Sequence, residues 1–196
     1  MQFNKIILIF LFSLIFIISC SKSMPIKEYK DASILREKVF KYDFQNYSKE
    51  QFDIAEASYS EAAILIDEEK EPNKIVELLT KASNNYQTIL NENLPKYAFD
   101  LKEETYLYRV YSKDIKAYRV DKDDYEFAEL NYVNALSALS TNNYEDAINC
   151  FLKVRKYHHK AYFTTKRKYD ESIMDIKEAE AKIKEVENLE NKSSSK

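Results

Sequence analysis

The chain contains no glycine in 196 residues, whereas average usage of about 7% would place on the order of 14 in this length. Glycine supplies the left-handed backbone of tight hairpin turns and lets main-chain amides close around phosphates. Without it there is no P-loop, no dinucleotide fingerprint, no nucleophile elbow and no EF-hand turn residue. A sheet protein or a nucleotide-binding α/β protein is thereby excluded. A helical chain that turns its corners with Asn, Asp and the three prolines is what remains.

Helical periodicity runs through almost everything beyond residue 27. Apolar residues at 3- and 4-residue spacing predict helices over Glu28–Phe44, Lys49–Glu69, Pro72–Asn91, Pro95–Arg119, Asp121–Ser140, Tyr144–Tyr157 and His159–Leu189, the last two joined with little break. Ser48 with Gln51 has the pattern of a capping box. Pro72 and Pro95 suit first helical positions, and Asn142-Asn143 can take the left-handed conformation at a corner. The segment around Ile176, Ala179, Ile183 and Val186 predicts a helix that caps the array or receives a partner helix. Residues 191–196 are expected to be a frayed polar tail.

Two segments repeat at an offset of 73: Ala55, Glu56, Tyr59 and Ala62 recur as Ala128, Glu129, Tyr132 and Ala135. The alanines admit a close neighbouring helix while the tyrosine fills the gap. Such an offset is near twice that of a helix-pair repeat. The run Asn143-Tyr144-Glu145-Asp146-Ala147-Ile148-Asn149-Cys150-Phe151 resembles the second-helix signature of tetratricopeptide (TPR) repeats, with Ala147 and Phe151 in the packing positions and Val154 in the following small one. Ala135 stands where that family has its small residue in the first helix. The chain departs from the family at Asn131, where a large aromatic is usual, and at His159, where a proline closes the repeat. The resemblance covers one repeat, about residues 128–159, and implies an all-α, antiparallel helix-pair (TPR-like) array of about six or seven helices, forming one domain over residues 28–190.

Residues 1–19 stand apart. Lys5 is their single charge, and Ile6–Ile18 is apolar except for Ser13. This run is the length of a secretory core and shorter than the ~20 residues that cross a bilayer. It ends Ile17-Ile18-Ser19-Cys20, then turns polar, and this resembles a bacterial lipoprotein signal. The resemblance implies export, cleavage before Cys20, acylation of the Cys20 thiol and of the new amino group, and a short tether over residues 20–27. At ~0.8 kcal/mol per buried methylene, two or three acyl chains anchor stably where one does not. Ser21 is not the Asp that retains some enteric lipoproteins at the inner membrane, so an outer-membrane location is expected. The whole resembles lipid-anchored, TPR-like helical proteins of spirochaetes and other AT-rich bacteria.

Chemistry is sparse in the remaining sequence. The formal net charge of −3 becomes −4 once Lys5 leaves with the leader, which speaks against a nucleic-acid binder. Cys150 is then the one cysteine besides Cys20; it reads as a small core residue. The histidines are adjacent, His158-His159, and point about 100° apart on a helix, so they read as a surface or interface pair. No HxxxH, HExxH or CxxC spacing occurs. No enzyme, metal or cofactor is expected.

Two surface features remain. One is the acid-free run Phe151–Tyr169 with Lys153, Arg155, Lys156, Lys160, Lys166, Arg167 and Lys168. It offers either a contact for anionic headgroups or charges answered within the molecule by the acid-rich stretch that follows. The other is a helix rich in rings with polar tips, carrying Tyr106, Tyr108, Tyr111 and Tyr118, which fits either a partner groove or a core lacking Trp. The resulting expectation is a lipid-anchored envelope protein presenting a helical surface to a protein partner in an assembly or transport complex. Two alternatives stay open: a lipoprotein holding a ligand in a Tyr-lined cavity, and a surface lipoprotein that binds host molecules.

Overall fold

A computed structural model describes residues 24–194; the leader, Cys20 and most of the tether lie outside the described residues. The protein is all-α, with about 90% of residues helical and no strand among those described. The helices are α1 (Ile26–Lys41), α2 (Lys49–Asp67), α3 (Pro72–Asp114), α4 (Ala117–Val120), α5 (Lys122–Ser140) and α6 (Tyr144–Ser194), with a 3-10 turn at Phe44–Asn46. None of the described helices is long and apolar enough to cross a membrane.

Where the sequence reading starts a helix at Pro95, α3 continues through it. Proline removes one hydrogen bond and crowds the preceding turn. Burial of Ile89 and Leu90 before it and of Ala98 and Leu101 after it holds both halves helical. The expected break at Tyr157–His159 is likewise absent, and helix continues to Ser194 through most of the expected tail. Ser48 does not close a capping box, for its side chain makes no cap bond; its Oγ instead accepts from Asn93 Nδ2 at 3.1 Å. Asn143 is a true cap, its Oδ1 accepting from the Asp146 amide at 3.3 Å.

The chain packs as two compact units that divide at Asn93 and Leu94, inside α3, where the sequence reading has one domain over residues 28–190. In the first, α1, α2 and the first half of α3 are joined by side-chain contacts: Arg36 pairs with Glu56 across α1 and α2, and Tyr59 meets Tyr86 across α2 and α3. In the second, the later half of α3, α5 and α6 take the same parts, with Arg109 on Glu129 and Tyr132 on Phe151.

The likeness extends to the backbone. Asp43 and Lys116, related by the same offset as the repeated segments, both sit in the left-handed region at φ 58° and 61°. Ser48 and Asp121, again equivalent, precede α2 and α5 with φ/ψ of −134°/58° and −129°/65°. Both helices are 19 residues long. The next loop has four residues in the first unit (68–71) and three in the second (141–143), so the offset thereafter is 72. At that offset the buried residues Leu79, Ala82, Tyr86, Ile89 and Asn93 of α3 correspond to the buried Phe151, Val154, His158, Ala161 and Thr165 of α6. The matched positions thus relate the two units over three helical segments each.

Every positive φ falls on a residue other than glycine: Asp43, Glu69, Glu71, Lys116 and Asn142. That conformation costs a side-chain-bearing residue about 1–2 kcal/mol, less for Asn and Asp. Lys116 at φ 61° is exposed and carries this strain with neither exemption. Lys116→Gly is expected to leave the urea midpoint of the second unit unchanged or raised, whereas Lys116→Val lowers stability by about 1–2 kcal/mol. Equal effects of the two substitutions would show that the backbone there is not left-handed.

Candidate functional site

Each unit encloses a polar centre, and the two centres are built alike. In the first, Glu56 of α2 receives a bidentate pair from Arg36 of α1, Nε to Oε1 at 2.7 Å and Nη2 to Oε2 at 2.9 Å. Tyr86 of α3 donates its hydroxyl to the same Oε1 at 2.5 Å. The guanidinium lies over the rings of Phe40 and Tyr59, 4.8 and 5.3 Å from their centroids, and Tyr29 stacks on Tyr59 at 5.0 Å. In the second, Glu129 of α5 receives Arg109 of α3, Nε to Oε1 at 2.7 Å and Nη2 to Oε2 at 2.8 Å. The Arg109 guanidinium lies 4.8 Å over Tyr132.

Charge-assisted fork-to-carboxylate pairs are among the strongest polar contacts, and the planar guanidinium stacks on rings as ammonium does not. Burial alone would raise the Glu56 carboxyl, but the Arg36 fork and the Tyr86 hydroxyl bring it below its ordinary value. Burial likewise opposes ionisation of Glu129, and Arg109, assisted by His158, outweighs it. Burial, reinforced by the neighbouring carboxylate of Glu56, pushes the Tyr86 phenol far upward, so it stays a donor.

The two centres differ at the third helix. Where the first has Tyr86, the second has His158, fully buried. The imidazole needs a second polar neighbour that a phenol does not, and Ser112 supplies it at 2.8 Å from Nδ1. The equivalent of Ser112 in the first unit is Val39, also buried; tyrosine goes with valine, and histidine with serine. Nε2 of His158 lies 3.2 Å from Glu129 Oε1 without making a hydrogen bond to it. Burial lowers the imidazole to a pKa of about 4, against the opposing pull of Glu129. It is therefore neutral near pH 7. Serine, histidine and glutamate stand in the order of a hydrolytic triad, but Ser112 and His158 each have 0% of their surface exposed, so no substrate reaches the hydroxyl. The arrangement ties three helices together.

A second pair of buried polar side chains repeats as well. Ser58 and its equivalent Asn131 return hydrogen bonds to the carbonyls of Ile54 and Phe127 one helical turn earlier, at 2.9 and 2.7 Å. A small back-bonded residue thus occupies the place of the large aromatic expected at Asn131. The flanking Ala55, Ala62, Ala128 and Ala135 are all fully buried, as close helix approach requires.

The residues singled out in the sequence are distributed differently. Cys20 lies outside the described residues. Tyr106 and Tyr111 are about half exposed, at 50% and 53%, and Tyr118 is 38% exposed, so these three do not fill a core. Tyr108 is half-buried and meets the His159 ring at 5.8 Å, while Tyr118 meets Tyr125 at 5.9 Å. Tyr106 and Tyr108 are two positions apart and point about 200° apart on the helix; the four do not share one face.

Members of the basic segment have acidic partners on other helices and their own. Arg155 reaches Glu104 at 3.2 Å and Lys160 reaches Asp124 at 2.5 Å. Lys166 pairs with Asp170 at 3.1 Å and Arg167 with Glu171 at 3.9 Å along α6. Lys156 lies 5.5 Å from the centre of the Tyr157 ring, and Lys153 and Lys168 are exposed. Only His159 of the histidine pair is at the surface; His158 falls in the buried phase of α6 between Val154 and Ala161. Cys150 is half-buried rather than core, on an open polar depression of about 670 Å3 lined also by Asn134, Asn143, Asp146 and Asn149. Among the described residues no group of three or more His, Cys, Asp or Glu is placed to hold a metal.

No family model, curated protein or solved structure matches this chain significantly.

Because His158 is buried neutral with a pKa of about 4 and an ordinary value near 6.5, the unfolded chain takes up its proton first as pH falls. The second unit then holds its full stability above about pH 6.5 and loses on the order of 3 kcal/mol as pH falls from there toward 4. The first unit, with Tyr86 in that place, has only the depressed Glu56 carboxyl, whose contribution is lost at lower pH. Hydrogen exchange across this range is expected to show α5 and α6 loosening before α1 and α2. In Ser112→Val/His158→Tyr, which installs the first unit's pair in the second, the difference disappears. Equal loosening of both units in the unsubstituted protein contradicts the assignment.

Proposed function

We propose that this chain is a lipid-anchored, non-enzymatic interaction protein of the cell envelope, held through Cys20 and offering a helical-repeat surface to a protein partner. The observation that carries the reading is a division between inside and outside. The one serine–histidine–glutamate arrangement described above is sealed at Ser112 and His158, whereas apolar side chains such as Leu107 (52%) and Tyr111 (53%) are exposed. Isolated apolar residues on a surface are ordinary, but aromatic ones are the usual anchors of protein interfaces.

The lipobox-like Ile18-Ser19-Cys20 supports export and anchoring, and Ser21 supports the outer membrane over the inner. The likeness to TPR repeats is carried by the α5–α6 pair, in which Ala135, Ala147 and Phe151 are all fully buried; the wider array is a repeat of three-segment units. Tyr106, Tyr108, Tyr111 and Tyr118 are the proposed partner contacts. The basic residues from Lys153 to Lys168 serve chiefly as the acidic side chains' partners, with Lys153 and Lys168 placed to meet an anionic surface.

Mass analysis of envelope fractions is expected to find an N-terminal peptide beginning at an acylated Cys20, and crosslinking in intact cells a specific second protein. Tyr106→Ser/Tyr111→Ser should lower recovery of that protein at least several-fold with the helix content unchanged. An unmodified Cys20 peptide contradicts the anchor, and absence of any specific partner contradicts the adaptor.

A further inference from the structure

We infer that the outward face of α1 lies along the membrane and docks there on anionic lipid headgroups. The docking rests on the anchored reading of Cys20 for the nearness of that membrane. At about 100° per residue, the side of α1 turned away from the buried Ala32 and Val39 carries Lys27, Lys30, Ile34 and Lys41. Ile26 and Lys38 stand at its margins, and Glu37 is the one acid among them. All but the half-buried Lys38 are exposed, Ile26 at 56% and Ile34 at 44%.

The fold itself does not ask for these lysines. The offset of 73 that matches Arg36 to Arg109 and Val39 to Ser112 also matches Lys27, Lys30 and Lys41 to Asp100, Glu103 and Asp114 of α3, all exposed. The apolar positions keep their character, with Phe99 for Ile26 and Leu107 for Ile34. Two helical segments with the same part in their units thus turn opposite charges outward. Lys27, moreover, stands in the first turn of α1, where the helix dipole disfavours a cation. Neither packing nor helix stability selects the sign, so it answers to what the face meets. An anionic surface attracts the first face and repels the second.

The chain's own start says which surface that is. The Ile26 amide donates to the Met24 carbonyl at 2.8 Å and Pro25 is buried, so Met24 already belongs to the fold. Cys20 lies four residues earlier, at most ~14 Å of extended chain. The 16 residues of α1 span about 24 Å. A lipid at Cys20 therefore keeps the start of α1 within reach of headgroups, and the lysines continue from there along the helix. Lysines close to an anionic leaflet are drawn to it, and their long stems let Ile26 and Ile34 approach the interface as well. Asp67 of α2 acts on Tyr29, which stacks on Tyr59 at 5.0 Å. That acid thus stands on the α2 side of α1 and leaves the outward face cationic.

Lysine footprinting on vesicles separates the docking from the anchor. The chain from Cys20 onward, with Cys150→Ser, is coupled through Cys20 to a maleimide-bearing lipid, so attachment does not depend on acylation in the cell. On vesicles of phosphatidylcholine with phosphatidylglycerol, reaction of Lys27 and Lys30 with an N-hydroxysuccinimide ester is expected to slow roughly fivefold or more. Lys81, exposed on α3 in the same unit, keeps its rate. High salt, or vesicles of phosphatidylcholine alone, restores Lys27 and Lys30. Lys27→Glu/Lys30→Glu, which brings the second unit's charge to α1, removes the protection of Lys41 with helix content unchanged. Three results each overturn the docking: unprotected Lys27 and Lys30, equal protection on neutral vesicles, or protection in solution that rises with protein concentration, which assigns the face to a second copy. An unmodified Cys20 peptide from cells contradicts the anchor instead, while the vesicle result still decides the face.

Discussion

A carboxylate drawn half out of water between helices is destabilising unless a charge and enough hydrogen bonds answer it. Each unit of this protein answers with an arginine from the preceding helical segment, seated on an aromatic ring. That contact fixes more than two side chains. Arg36 on Glu56 and Arg109 on Glu129 set the register between the first and second helical segments. The third segment then delivers Tyr86 or His158 to the same carboxylate. Fully buried alanines on either side of each glutamate allow the helices to come close enough for the fork to reach. Apolar packing supplies most of the stabilisation of helices like these, but it is poorly directional. The clamp specifies which faces meet.

The two units show what can vary around that constraint. Tyrosine and histidine both reach the glutamate, yet only histidine needs a further polar neighbour, and the residue across from it changes from Val39 to Ser112. A loop shorter by one position shifts the offset of the third segment from 73 to 72 and leaves the buried positions matched. Without glycine, the corners are turned by Asp43, Lys116 and Asn142 in left-handed conformation. That asks more of the packing on either side.

The helical class was legible because the absence of glycine leaves few other folds, and the repeat was legible in the paired Ala, Glu and Tyr residues of α2 and α5. What escaped was what periodicity within one helix cannot report. The arginines lie upstream of their glutamates, across a turn, and only extending the comparison of the two segments back to Arg36 and Arg109 would have found them. His158 reads as a surface residue beside His159, although its spacing from Val154 and Ala161 places it on the buried face. Pro95 reads as a helix start because local preference favours one; burial on both sides prevails. The basic segment shows as a patch along the chain because Glu104 and Asp124, which answer Arg155 and Lys160, lie far from it in sequence.

The central claim is that each unit is held in register by its arginine–glutamate pair, and a double-mutant cycle at each pair tests it most directly. Arg36→Ala, Glu56→Ala and their combination, with the same set at Arg109 and Glu129, would be compared by urea unfolding with hydrogen exchange assigning the loss to its unit. The account predicts that the single changes together cost about 1–2 kcal/mol more than the double change at each pair, with the loss confined to the unit that carries it. Purely additive costs, or a loss shared equally by both units, would contradict it.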